Sequence, residues 1–205
     1  MSKKQKASKV GNREWLIENP LMTTIKYSRY KFIAKMISSN DVVLDLGCGT
    51  GISSLFYSNY CKKVYGYDLL SEFVEVKKKN NIKFIRGDAL KLNVNDFVKK
   101  RVDMISCVDF IEHFSEKDGT KIIEKCSKIL HQNVNTLIIG TPSVHSKKFR
   151  SKTSKIQHLH EYDPLELKRK CLKYFSRVFL FSMNDEVVNT GFHKLSWFTF
   201  VICVK

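Results

Sequence analysis

The stretch V43-L-D-L-G-C-G-T-G51 decides how this chain is read. An apolar run, Val42 to Leu46, ends beside the carboxylate of Asp45, and Gly47, Gly49 and Gly51 then alternate with small residues. The run predicts a buried strand, and the glycines predict a sharp turn into a helix with backbone that a ligand can approach closely. A dinucleotide site needs the spacing G-x-G-x-x-G and bare N–H groups for a pyrophosphate. Here every second residue is glycine, and the adjacent carboxylate of Asp45 would repel a pyrophosphate. It would welcome a zwitterionic or cationic ligand, so the pattern favours an amino-acid-like ligand over a dinucleotide.

Working outward, apolar periodicity divides the rest of the chain. Helices are predicted over 24–38, 53–60, 70–79, 117–130 and 164–174, the last with Asp163 as N-cap and Pro164 at its first position. Strands are predicted over 42–46, 63–67, 82–86, 102–108 and 135–140, and two more over 177–181 and 196–204. Strand and helix alternate five times, and the strands are near-continuous apolar runs, which predicts a parallel sheet covered on both faces. The last two strands, with no helix between them, predict an antiparallel hairpin at one edge. The closing run LSWFTFVICVK suits a sheet interior, or an edge that makes a dimer contact. Between them, 143–162 reads as a long polar loop.

Length and composition set bounds. The 205 residues fit a single domain over 1–205, with 1–12 a basic tail and 141–160 a lid. The start, MSKKQKASKV, has no apolar stretch behind it and reads as a tail, not a secretory signal. No segment approaches the roughly 18 apolar residues of a membrane span. The six cysteines show no C-x-x-C spacing and several sit in apolar runs, so they read as reduced, buried thiols of a cytoplasmic protein. Thirty-six Lys and Arg against 20 acids give a net charge of +16. That excess fits either a lysine-rich chain with a solvated surface or an anionic partner.

The four strand ends together resemble the class I S-adenosylmethionine-dependent methyltransferases. The resemblance rests on D45-L-G-C-G-T-G, on Asp68 in VYGYDLL, on Asp88 in FIRGDAL and on Val108 and Asp109 in SCVDFIEHF. It implies a Rossmann-like, mostly parallel seven-stranded sheet with helices on both faces and an antiparallel C-terminal hairpin. It implies S-adenosyl-L-methionine as cofactor, held by Asp45, Gly47, Cys48, Gly49, Gly51, Asp68, Leu69, Asp88, Ala89, Val108 and Asp109. Asp68 would take the ribose hydroxyls, since a carboxylate accepts two bonds from a vicinal diol. Tyr27, Arg29 and Tyr30 are candidates for the cofactor's carboxylate end, with helix packing the better role for Tyr30. DFIEHF, IIGTPS and HLHEYDPLELKRKC look most like small-molecule, surface-polysaccharide sugar or quinone-type methyltransferases.

Methyl transfer to a hydroxyl is helped by a base near neutrality, and His113, His158 and His160 are the candidates. In an extended segment His158 and His160 would share a face. Lys147, Lys148, Arg150, Lys152 and Lys155 make 141–160 an acceptor-binding lid suited to an anionic acceptor. Asp109, Glu112, His113 and His158 also form a candidate divalent-cation site, similar to the acid, acid–histidine and later histidine of small-RNA 2′-O-methyltransferases. Asp109 is shorter than the glutamate of that pattern. Three functions follow: methyl transfer to a hydroxyl or amine of a sugar or other anionic metabolite, metal-dependent 2′-O-methylation of RNA, or binding of the cofactor without catalysis. The chain is expected to be a monomer or homodimer.

Overall fold

In the computed structural model, which describes residues 17–69, 79–130, 135–149 and 151–205, the run before the glycines is strand β1 (Val42–Leu46). With β2 (Lys63–Asp68), β3 (Ile82–Arg86), β4 (Met104–Val108) and β5 (Thr136–Pro142) it forms a parallel sheet in the order β3-β2-β1-β4-β5. β2 and β3 lie on one side of β1, and β4 and β5 on the other, so the strand order switches at β1 and β4, and ligands of such sheets bind at the carboxyl ends beside that switch. Three antiparallel strands complete the sheet: β6 (Arg177–Asn184), β7 (Val187–Asn189) and β8 (Phe198–Val204). β8 lies between β5 and β6, and β7 closes the edge beside β6.

The expected Rossmann-like sheet is present, with one strand more than the seven predicted. The extra strand, β7, has three residues and pairs with β6 across a turn at Asp185, whose φ is +50°. A pairing that short leaves no periodic signal. The closing apolar run is interior: β8 is bonded to β5 on one side and β6 on the other, so the edge reading of it does not hold.

Among the described residues six α-helices flank the sheet: α1 (Pro20–Ala34), α2 (Ile52–Tyr57), α3 (Val94–Val98), α4 (Glu116–Ile129), α5 (Lys152–Gln157) and α6 (Pro164–Cys171). Alternate strand residues feed two cores. Val43, Val64 and Ile138 meet Ile25, Ile33 and Tyr57 of α1 and α2. Leu44, Leu137 and Ile139 meet Phe97, Ile122, Ile123 and Leu167 of α3, α4 and α6. The predicted helix over 70–79 falls, but for Lys79, outside the described residues, as does the basic tail. The six cysteines are free and buried, as expected.

The predicted loop is in part helical. Val144–Phe149 forms 3₁₀ turns, and α5 follows, started by Ser151, whose Oγ accepts from Ser154 N at 3.1 Å. At α6 the predicted cap is present: Asp163 Oδ1 accepts from Leu165 N at 2.9 Å and Glu166 N at 3.1 Å. We expect Asp163→Ala to lower stability by about 1 kcal/mol, read from urea midpoints at constant slope.

Candidate active site

The glycine loop sits against the end of β2. Gly47 N donates to Tyr67 O at 2.8 Å, and Gly47, Gly49 and Gly51 all adopt left-handed backbone, with φ of +80°, +53° and +91°. At Gly47 a Cβ would lie 2.2 Å from the Phe110 ring, so glycine is needed for packing. At Gly49 a Cβ would meet nothing within 4 Å, so this side of the loop is open to a ligand. Asp68, at the end of β2, accepts from Gly49 N at 2.8 Å and ties the acid to the loop. Asp88 follows β3, next to β2 in the sheet, and caps a 3₁₀ turn by accepting from Leu90 N at 2.9 Å. Leu69 is exposed beside Asp68, while Ala89 and Val108 are buried. Cys48 is buried, and burial raises its thiol pKa, so it is inert.

Asp45 is 2% exposed, and its Oδ2 accepts from Ser53 Oγ at 2.6 Å and Ser54 Oγ at 2.7 Å. The carboxylate therefore anchors the start of α2 from beneath the loop. Burial pushes its pKa up to about 6, against the two serine bonds. The unfolded carboxyl ionises near 3.8 and the folded one near 6, so the folded state holds the extra proton between them. Stability must fall as pH rises through that window, by up to about 3 kcal/mol for a shift of this size. We expect Asp45→Asn to remove this slope and to raise the melting temperature at pH 7.5, with the two proteins converging near pH 4.

Asp109 follows β4 in left-handed backbone, φ +49°. Arg29 of α1 donates from Nη1 to both of its carboxylate oxygens at 2.8 Å, and the guanidinium carbon lies 3.8 Å from the centre of the Phe198 ring. Tyr30 is packed among Tyr27, Phe56 and Tyr57, in keeping with a packing role.

Beyond Asp109 lies a second group. Glu112, in the 3₁₀ turn Ile111–His113, is fully buried. Its Oε2 accepts from Thr141 Oγ1 at 3.0 Å, and its Oε1 is buried without a hydrogen-bond partner. Burial, then the charge of Asp109, pushes its pKa up to about 8. Its carbonyl accepts from Leu159 N at 2.8 Å and His160 N at 3.2 Å, which joins the segment after α5 to the turn that follows β4. His113 Nδ1 lies 3.1 Å from Gln157 O, and His158 Nδ1 lies 3.1 Å from Glu161 Oε1. A carbonyl and a carboxylate can only accept, so in each neutral ring Nδ1 donates and Nε2 carries the basic lone pair. The two rings pack edge to face with centres 5.3 Å apart, and one ligand atom each from Glu112, His113 and His158 lie within 4.8 Å of one another.

Two expectations change. Asp109 does not join this group, because Arg29 holds it. His160 does not share a face with His158: His158 ends α5 rather than lying in an extended segment, and the His160 ring turns to Tyr162 and to Glu166 Oε1 at 3.2 Å. Glu116, His160 and Glu166 do converge, but Lys170 already pairs with both acids. Lys147, Lys148, Lys152 and Lys155 are exposed, and Arg150 lies outside the described residues. Thr141, which reads in sequence only as the end of a strand, and Glu161 contact the site residues, Thr141 by a bond to Glu112 across 29 residues and Glu161 by a contact with His158 three residues away.

The family described as "Methyltransferase domain" matches residues 43–133, from the start of the glycine stretch to beyond α4. Residues 43–133, less than half of the chain, are thus similar to a methyltransferase domain. An uncharacterized RNA methyltransferase of Clostridium tetani is 33% identical over 91 residues, which cover 41% of this chain and 19% of that protein. The likeness to that relative is therefore a likeness of this domain alone. The N-methyltransferase NodS of Bradyrhizobium japonicum, solved with S-adenosyl-L-homocysteine, superposes with a TM-score of 0.68 at 12% identity over 96% of this chain and 93% of that one. The small RNA methyltransferase HEN1 superposes with a TM-score of 0.66 at 18% identity, over 100% of this chain and 27% of that one. These two likenesses are of fold. Among the described residues, no helix is long and apolar enough to cross a membrane.

Proposed function

We propose that the chain transfers a methyl group from S-adenosylmethionine to a hydroxyl of a small anionic acceptor. The observation that carries this reading is the paired imidazoles of His113 and His158, each with Nδ1 engaged and Nε2 basic, just past the end of β4. The cofactor residues fit: the open face of Gly49 leaves room, and Asp68, Asp88, Val108 and Asp109 stand at adjoining strand ends. When bound, S-adenosylmethionine supplies an electrophilic methyl on a sulfonium, which leaves as a neutral thioether. The chain's own part is alignment and proton removal. As the oxygen–methyl bond forms, the hydroxyl proton passes to Nε2 of His113 or His158. The lid lysines attract the acceptor's negative charge. On this reading the enzyme works in the cytoplasm, and six unpaired thiols support that.

A second reading has its own observation, the buried and unpartnered Oε1 of Glu112 beside two imidazoles. Imidazoles that ligate a metal usually donate their other N–H to a carbonyl or carboxylate, as both do here. Glu112, His113 and His158 suit zinc, manganese or iron(II). A metal-dependent 2′-O-methyltransferase of RNA would use them, and the charge of +16 is compatible with RNA.

One assay separates the readings: methyl-labelled S-adenosylmethionine with a cell extract, fractionated with and without ribonuclease and chelator. Label in small molecules, insensitive to both, supports the first reading. Ribonuclease-sensitive label that chelator abolishes overturns it in favour of the second, and cofactor binding with no label in any extract supports a non-catalytic module. Glu112→Gln sharpens the choice. A carboxyl with a pKa pushed up to about 8 is mostly protonated at pH 7, and glutamine imitates it. We expect turnover within about twofold of wild type, whereas a metal site would lose its anionic ligand and fall by ten- to a hundredfold.

A further inference from the structure

Beside the Arg29–Asp109 pair is a slot of about 110 Å³ that the cofactor residues leave unused. Its walls are Met22, Ile25, Pro142, Met183, Trp197 and Phe198. Met183, Phe198 and Ile25 are buried, while Met22 is 48% and Trp197 51% exposed, so the slot has a closed apolar floor and an open rim. Among the described residues, Arg29 and Asp185 are the charged ones that line it. Arg29 spends Nη1 on Asp109, and its Nε is buried with no hydrogen-bond partner. Asp185 is exposed in the β6–β7 turn, and Asn184 beside it accepts from Trp197 N at 3.0 Å, which fixes that turn to the rim.

These features select a chemistry. A sugar would bring hydroxyls into walls that offer almost no partners, and each unpaired polar group costs about 1–3 kcal/mol. Two aromatic rings and two thioethers favour the face of a flat, unsaturated ring. An apolar cavity of about 150 Å³ holds a benzene, so this smaller slot, open at its rim, has room for no more than one ring. The Arg29 guanidinium matches a carboxylate, and Asp185 at the rim disfavours an anion that faces outward.

We propose that this slot is the acceptor subsite and takes a single planar ring bearing a carboxylate, seated with the carboxylate inward on Arg29. The proposal rests on the methyl-transfer reading and narrows its acceptor from anionic metabolites in general to hydroxylated aryl acids. The cofactor's own carboxylate is the competing source of the same chemistry at Arg29, so the test is made on protein saturated with S-adenosylhomocysteine. The probe is 4-hydroxybenzoate, followed by Trp197 fluorescence and by calorimetry, with glucose 6-phosphate as the sugar anion. We expect 4-hydroxybenzoate to bind the loaded protein and glucose 6-phosphate to bind at least tenfold more weakly. Met183→Trp, which fills the floor, and Met22→Glu, which changes only the exposed rim, are each expected to weaken 4-hydroxybenzoate at least fivefold without changing affinity for S-adenosylhomocysteine. Competition between 4-hydroxybenzoate and S-adenosylhomocysteine would assign Arg29 to the cofactor and overturn the proposal. So would tighter binding of the sugar phosphate, or unchanged affinity in Met22→Glu. Failure of S-adenosylhomocysteine itself to bind would instead sink the methyl-transfer reading beneath it.

Discussion

The double variant His113→Ala with His158→Ala is expected to lower kcat by about 10²–10⁴-fold and to leave affinity for S-adenosylhomocysteine unchanged. Both rings must go, because both present a basic Nε2 and either can take the proton when the other is missing. His113 is positioned by Gln157 O and His158 by Glu161, and the rings support each other edge to face. The Nδ1 contacts of the two rings go to Gln157 O and Glu161 Oε1 rather than to the glycine loop, so the proposed cofactor cradle should survive. Single-turnover label transfer separates the chemical step from binding. Unchanged turnover in the double variant would remove the proposed role from both residues.

Gly47→Ala is expected to destabilise the fold by about 2–4 kcal/mol and to weaken S-adenosylhomocysteine at least tenfold. Two costs add. An L-residue in left-handed backbone costs about 1 kcal/mol, and Gly47 has φ +80°. The new Cβ would also stand 2.2 Å from Phe110, whose ring packs on Phe114 at 4.9 Å and cannot simply swing away. Overpacking of this kind costs about 1–3 kcal/mol. If the loop shifts to relieve the clash, the bond from Gly49 N to Asp68 is broken as well. Gly49→Ala is the informative contrast. It has φ +53° but no neighbour within 4 Å of the new Cβ, so it should cost only about 1 kcal/mol of stability. Any large loss of cofactor affinity there would come from the ligand's own approach. Urea unfolding and calorimetric titration of the two variants separate these causes.

Some of this architecture could be read from the chain and some could not, for physical reasons. β1 and the turn after it announce themselves because a strand buried on both faces is apolar and a turn with three left-handed residues strongly favours glycine. Asp163-Pro164 predicts the start of α6 because the chemistry of a helix cap is local. β7 is too short to show a period, and α3 has only five residues. The placement of β8 depends on which strands it bonds, a non-local outcome that its own residues do not encode. The candidate site divides in the same way. Asp68, Asp88 and Asp109 are found from their positions at strand ends. The Arg29–Asp109 pair joins residues 80 apart, and Glu112–Thr141 joins residues 29 apart, so spacing cannot reveal either. His158 and His160 look equivalent in HLHEY, yet the end of α5 sends one ring to His113 and the other to Tyr162.

Calorimetric titration of the wild type and Asp68→Ala with S-adenosylhomocysteine tests whether the glycine loop and Asp68 hold S-adenosylmethionine. We predict saturable binding of one equivalent to the wild type, weakened about 10- to 100-fold in the variant, which deletes charge-assisted bonds worth about 1–3 kcal/mol. No saturable binding to the wild type, or equal affinity in Asp68→Ala, would contradict the account.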